Sequence, residues 1–166
     1  PAENWVHAAD EGGGRILGEV CHFVDLARYL VESPILSVQA DAAKISGGGC
    51  DDLNVALRFA DGSLATIVYT GLGDNIYSKE LIEVYSGGSV VCVENLKSFT
   101  VAEHGKLRKK SSRTQDKGFK KALEDFVSAV SNGGVAPVSE AELIETSLAT
   151  IAIMESLREG RRIELS

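Results

Sequence analysis

No apolar run in this chain of 166 residues approaches the roughly 20 needed to cross a bilayer as a helix, so an integral helical membrane protein is not expected. Aromatic residues make up 6%, so any core must be built mainly from aliphatic side chains. There are three cysteines, Cys21, Cys50 and Cys92, an odd number with no CxxC spacing. That excludes a disulfide framework and a zinc-finger type of site, and fits the reducing cytoplasm. GxGxxG, the GK[ST] of a phosphate loop, HExxH, a serine nucleophile elbow and an EF-hand loop are all missing. His7 and His104 have no partners at metal-ligand spacing, so no metal is expected. The opening PAENWVHAADEGGG has neither a basic nor an apolar segment of a secretory signal, and the chain begins at Pro1 instead of Met. The expectation is a processed chain or a fragment of something longer. Trp5, next to Val6, is expected to be a packing anchor.

What is present is globular in composition: 44% apolar and 25% charged residues, with a net charge of −7. At this length about 70% of the extended surface can be buried, enough for one domain over residues 1–166. The charge is uneven. Lys106, Arg108, Lys109, Lys110, Arg113, Lys117, Lys120 and Lys121 against the single Asp116 make one stretch +7 and leave −14 on the rest. Without interleaved aromatics to stack on bases, this reads as a solvated loop and helix start, and no nucleic-acid partner is expected.

Residues 15–31 carry Val20, Phe23, Val24, Ala27, Leu30 and Val31 at helical spacing, and Ser33-Pro34 closes the helix. Strands follow. Val55, Leu57 and Phe59 alternate with polar or small residues, and Asp61-Gly62 predicts a type I′ hairpin turn into residues 64–69. Two more hairpins are predicted, at Gly87-Gly88 and at His104-Gly105. Gly47 to Gly49 read as a loop. Phe119, Ala122, Leu123, Phe126, Val127 and Val130 make an amphipathic helix. Ser139 and Glu142 form a capping box for the next, with Ile144, Leu148, Ile151 and Ala152 as its apolar stripe, and a short strand ends the chain at 162–165. The class is α+β: a single, mostly antiparallel, open-faced sheet with helices packed on one face. Residues 64–70 are apolar in both registers, which predicts a partner on the open face and hence a homo-oligomer.

Chemistry concentrates on the first helix. Glu19, His22 and Asp25 are spaced i, i+3, i+6, and Tyr29 extends the row. Spacing alone admits two readings: an imidazole poised between carboxylates for proton exchange, or a buried histidine satisfied by a helix neighbour. Gly12 to Gly14 open the same helix and can present bare backbone N–H groups to a ligand. Residues 71–80, which include Tyr77 and Lys79, form an irregular connector able to line a pocket.

The stretch GGGRILGEVCHFVDLARYL resembles the helix that opens the C-terminal domain of the Gfo/Idh/MocA oxidoreductases, relatives of glucose–fructose oxidoreductase and inositol dehydrogenase. KELIEVYSGG is similar to that family's central strand and turn, and DKGFKKALEDFVSAVSNGG with PVSEAELIETSLATIAIMESLREGRRIEL to its closing helices and final strand. The resemblance implies a substrate-binding and oligomerisation domain that follows a Rossmann domain absent from this chain. It implies NAD or NADP in the parent protein, held by that other half, and a sugar or polyol substrate. Carried onto this sequence, His22 and Asp25 take catalytic roles, and Gly13, Gly14, Glu19, Tyr77 and Lys79 line the substrate. One departure stands out. The Asp that the family pattern places four residues before the histidine is Gly18 here, and Glu19 lies roughly 100° further around a helix.

Overall fold

The computed structural model describes residues 14–43 and 52–165, so Trp5, His7, Gly12, Gly13 and Gly47 to Gly49 lie outside the described residues. Contacts divide the chain into two compact units, one made of residues 1–72 and 138–166 and the other of residues 73–137.

In the first unit a π-helical turn, Ile16–Val20, runs directly into α1, Cys21–Val31. Glu32 takes a left-handed conformation (φ 55°) to end the helix. Strands β1 (Ile35–Ala42), β2 (Leu53–Phe59) and β3 (Leu64–Tyr69) follow, and after α3 (Glu140–Glu159) the short β8 (Ile163–Glu164) returns. They form one antiparallel sheet in the order β3-β2-β1-β8. Alternation decides which face is covered. Val55, Leu57 and Phe59 of β2 point inward and are at most 1% exposed, while Asn54, Ala56 and Arg58 between them point out. Val20, Val24, Ala149 and Ile153 from the helical layer meet this inner face. Each fully buried aliphatic or aromatic side chain here contributes about 1.5–3 kcal/mol.

The Asp61-Gly62 turn differs from the expected two-residue type I′ form. Only Gly62 has positive φ (90°), and the loop spans four residues between Phe59 and Leu64. The cause is local. The Asp61 carboxylate accepts the Ser63 N–H at 2.9 Å and its hydroxyl at 2.8 Å, which holds Asp61 at negative φ. The pairs at 87–88 and 104–105 do take positive φ at both residues, as a two-residue hairpin requires.

The second unit contains β4 (Leu81–Ser86), β5 (Ser89–Glu94), β6 (Ser98–Glu103) and β7 (Lys106–Ser111), an antiparallel meander in sequence order, and α2 (Phe119–Ser131). The α+β class and antiparallel pairing expected from the sequence are what the chain forms. Its strands make two four-stranded ladders where one was expected, because the irregular residues 70–80 carry no ladder between β3 and β4. The apolar stripe of α2 is present but uncovered: Phe119, Leu123, Phe126, Val127 and Val130 are all exposed. Among the described residues no helix is long and apolar enough to cross a membrane.

Candidate active site

The exposed flank of the first helical segment is fixed by what its opposite flank buries. Ile16, Val20, Val24 and Ala27 enter the core. Their spacing leaves Glu19, His22, Asp25 and Tyr29 on the exposed side. The reading of His22 as a buried histidine is thereby corrected: the imidazole is solvent-accessible at the surface of α1.

The backbone ahead of His22 is distorted. Cys21 N–H donates to the Ile16 carbonyl, five residues back, in place of the α-helical partner four back. Gly18 lies inside this widened turn, and a Cβ built on it meets nothing within 4 Å. Gly14, with φ 83°, lies two residues before the turn and takes a conformation that glycine adopts without strain.

Around His22 the nearest polar partner is sulfur: Cys21 Sγ lies 3.9 Å from Nδ1. Nε2 has no hydrogen-bond partner among the described residues. Burial pushes the Cys21 thiol above its usual value, with the Glu19 and Asp25 carboxylates adding to the shift and the His22 backbone opposing it. The group at position 21 is therefore a neutral thiol at neutral pH and not a thiolate nucleophile.

Asp25 turns the other way. Its Oδ1 accepts a hydrogen bond from Thr146 Oγ1 of α3 at 3.5 Å. One turn further on, Arg28 Nε donates to Glu145 Oε2 at 2.9 Å, and the other carboxylate oxygen of Glu145 takes the backbone N–H of Ile35. Two consecutive residues of α3 thus hold α1 and the start of β1. At the front of the segment, Arg15 reaches the Tyr69 hydroxyl at 3.5 Å, and the Tyr69 ring packs against Phe23 with centroids 6.3 Å apart. None of these partners stands near α1 in sequence. The link from Asp25 to Thr146 spans 121 residues, so no local spacing announces it.

The structure brings Gly14, Glu19, His22 and Asp25 together along one segment. Tyr77 and Lys79 belong to the second unit. Both are exposed, in a turn where Tyr77 N–H donates to the Asp74 carbonyl at 3.0 Å. Among the described residues no three His, Cys, Asp or Glu side chains cluster as metal ligands would.

Comparison with known proteins adds the following. The model of the GFO/IDH/MocA C-terminal domain matches residues 1–86, just over half of the chain. No curated protein matches. Solved structures share the fold at low identity. The aldose-aldose oxidoreductase from Caulobacter crescentus, complexed with glycerol, superposes with a TM-score of 0.83 at 19% identity, covering 99% of this chain and 52% of its own. A levoglucosan dehydrogenase in complex with NADH gives 0.83 at 19% identity, covering 98% and 53%. An oxidoreductase domain protein from Kribbella flavida gives 0.80 at 16% identity, covering 98% and 54%. The chain therefore spans about half the length of the structures it resembles.

Proposed function

Since the chain belongs to the GFO/IDH/MocA C-terminal domain family, we propose that it is the substrate-binding and oligomerisation domain of a sugar or polyol oxidoreductase that uses NAD or NADP. The observation that carries this reading is an exposed histidine on the family's opening helix, with an unengaged Nε2, directly after a π-helical turn of the kind that recurs at functional sites.

The nicotinamide nucleotide belongs to a Rossmann domain outside this chain. Among the described residues no strand enters a helix through a glycine-rich turn of dinucleotide-binding spacing. That two fold neighbours contain NADH and glycerol supports the cofactor and substrate classes. When bound, the nicotinamide supplies hydride acceptance or donation at a carbinol carbon. This chain's part is the proton: the hydroxyl proton passes to His22 Nε2 in oxidation and returns in reduction. Glu19 and Asp25, the latter held by Thr146, stand on the same flank as His22. Gly14, at φ 83°, allows close approach of substrate to the backbone.

The outer face of the first sheet carries Leu64 and Val68, 75% and 73% exposed, and homo-oligomerisation through this open face fits an apolar surface left without cover. Light scattering should give more than the monomer mass at high micromolar concentration; a monomer there removes the oligomerisation role. The compartment that fits free thiols at Cys21 and Cys92 is the cytoplasm.

A second reading, a non-catalytic binding or dimerisation scaffold, is favoured by one observation. Gly18 stands where the family pattern carries an acid, and no carboxylate hydrogen-bonds His22 among the described residues. Calorimetry tests the division of labour. NADH should give no binding heat with this chain alone and clear binding with the longer oxidoreductase; saturable NADH binding to this chain would contradict it.

A further inference from the structure

A π-helical turn is rare inside a helical segment and recurs at functional sites, so what holds the turn at Ile16–Val20 bears on His22. The core holds one side of it through Ile16 and Val20, both buried. A further hold comes from one residue of the sheet. Tyr69 ends the edge strand β3 and lies with Ala65 and Ile67 on its inner face. Its hydroxyl accepts a hydrogen bond from Arg15, the residue directly before the turn, at 3.5 Å. Its ring packs on Phe23, in the first turn of α1, with centroids 6.3 Å apart. One side chain thus touches the segment ahead of the π-helical turn and again just past His22.

Tyr69 is itself well anchored. Its backbone pairs with the buried Leu53 of β2. The next two residues, Thr70 and Gly71, donate to the Asp52 carboxylate at 2.7 and 2.8 Å. Those bonds, the hydroxyl first, hold the Asp52 carboxyl low against a small opposing effect of burial, and the Arg15 guanidinium lowers it further. Arg15 therefore meets the strand end through two groups, the Tyr69 hydroxyl and the charge of Asp52. The anchor matters because a helical segment can change register. Relaxation of the turn to four-residue α-helical pairing would move the residues ahead of it by one position, about 100° around the axis relative to His22.

We propose that Tyr69 is a positioning residue for His22: by holding Arg15 and Phe23 on either side of the π-helical turn, it fixes the direction in which the imidazole is presented. Tyr69 itself touches no reacting atom. The inference rests on the proton-transfer role given to His22 above. Phenylalanine at this position keeps the ring contact with Phe23 and loses the Arg15 contact; alanine loses both.

The test reads the turn and the reaction separately. In this chain, amide hydrogen exchange at Cys21, whose N–H donates to the Ile16 carbonyl across the turn, should quicken about 3- to 10-fold in Tyr69→Phe and further in Tyr69→Ala. Exchange at Val55 and Leu57 should stay as it is, which shows that the core is kept. In the full-length protein carrying this domain, Tyr69→Phe should lower kcat by about tenfold with KM little changed. It should cost nothing further in the His22→Ala background, since it acts through that imidazole. Unchanged Cys21 exchange, an unchanged kcat in Tyr69→Phe where His22→Ala lowers it, or an equal loss with and without His22 would overturn the positioning role. If His22→Ala leaves the rate unchanged, the proton-transfer reading fails and this inference falls with it, whatever the exchange shows.

Discussion

The carboxylate of Glu145 joins three elements at once: Arg28 Nε of α1 donates to one oxygen at 2.9 Å, and the backbone N–H that starts β1, at Ile35, donates to the other. The pair is largely sheltered, with side chains 13% and 22% exposed. A sheltered arginine and a buried N–H are costly to leave without acceptors. Glu145→Ala should therefore lower unfolding free energy by about 2–3 kcal/mol in urea titrations, and Glu145→Gln by less, since it keeps an acceptor oxygen. Equal stability of wild type and Glu145→Ala would show that the bridge does not hold α1.

Ser156 is fully buried and serves both sides of a junction. Its hydroxyl oxygen accepts the Ala40 N–H at 2.9 Å, and its proton goes to the Arg161 carbonyl at 2.7 Å. Strand β8 pairs only with Ser37 and Val38, so this hydroxyl takes over where the ladder stops. Ser156→Ala should cost about 1–3 kcal/mol, while Ser147→Ala, exposed on the same helix, should change stability by less than about 0.5 kcal/mol. Thermal unfolding of the two variants side by side makes the comparison.

Gly18 has open space around it and no positive φ to protect. In a helical interior glycine is the more costly residue, so Gly18→Ala should stabilise the chain by about 0.5–1 kcal/mol. A loss of stability would mean that the π-helical turn depends on glycine. Gly18→Asp should fold equally well and place an acid at the position where the family pattern has one.

Asp52 accepts the Thr70 hydroxyl at 2.7 Å and the Gly71 N–H at 2.8 Å, tying the end of β3 to the start of β2. These bonds, the hydroxyl first, hold its carboxyl below the usual value. Glu142 is lowered by the Ser139 hydroxyl and N–H of the capping box. A group depressed in the folded state stabilises above its unfolded pKa, and that stability is lost as pH falls through the folded pKa. Asp52→Asn should thus lower Tm at neutral pH, and its difference from wild type should shrink as the pH drops below the ordinary carboxylate range. A difference that stays constant with pH would assign the effect to packing.

The helical and strand periods were strong enough to read most elements from the sequence. The i, i+3, i+4 stripe on residues 20–31 put Val20, Val24 and Ala27 in the core, where they lie, and Ser139 with Glu142 marked the start of α3. The His22 flank was legible for the same reason, since residues three apart on a helix share a side. Two things were not legible. The π-helical turn adds backbone geometry that side-chain period does not encode, and Thr146 and Glu145 reach α1 only through the tertiary fold. The α2 stripe shows the reverse limit: its pattern announced a buried face, and Phe119, Phe126 and Val130 are exposed. Period reveals which side chains share a face, not what covers it.

The most direct test of the proposed function is kcat/KM of the full-length protein carrying this domain, with His22 intact and as His22→Ala, on the proposed class of sugar or polyol substrate. Removal of a working proton-transfer group should cost about 10²–10⁴-fold, with substrate binding much less affected. An unchanged rate would leave the domain as a scaffold and contradict the role given to the imidazole.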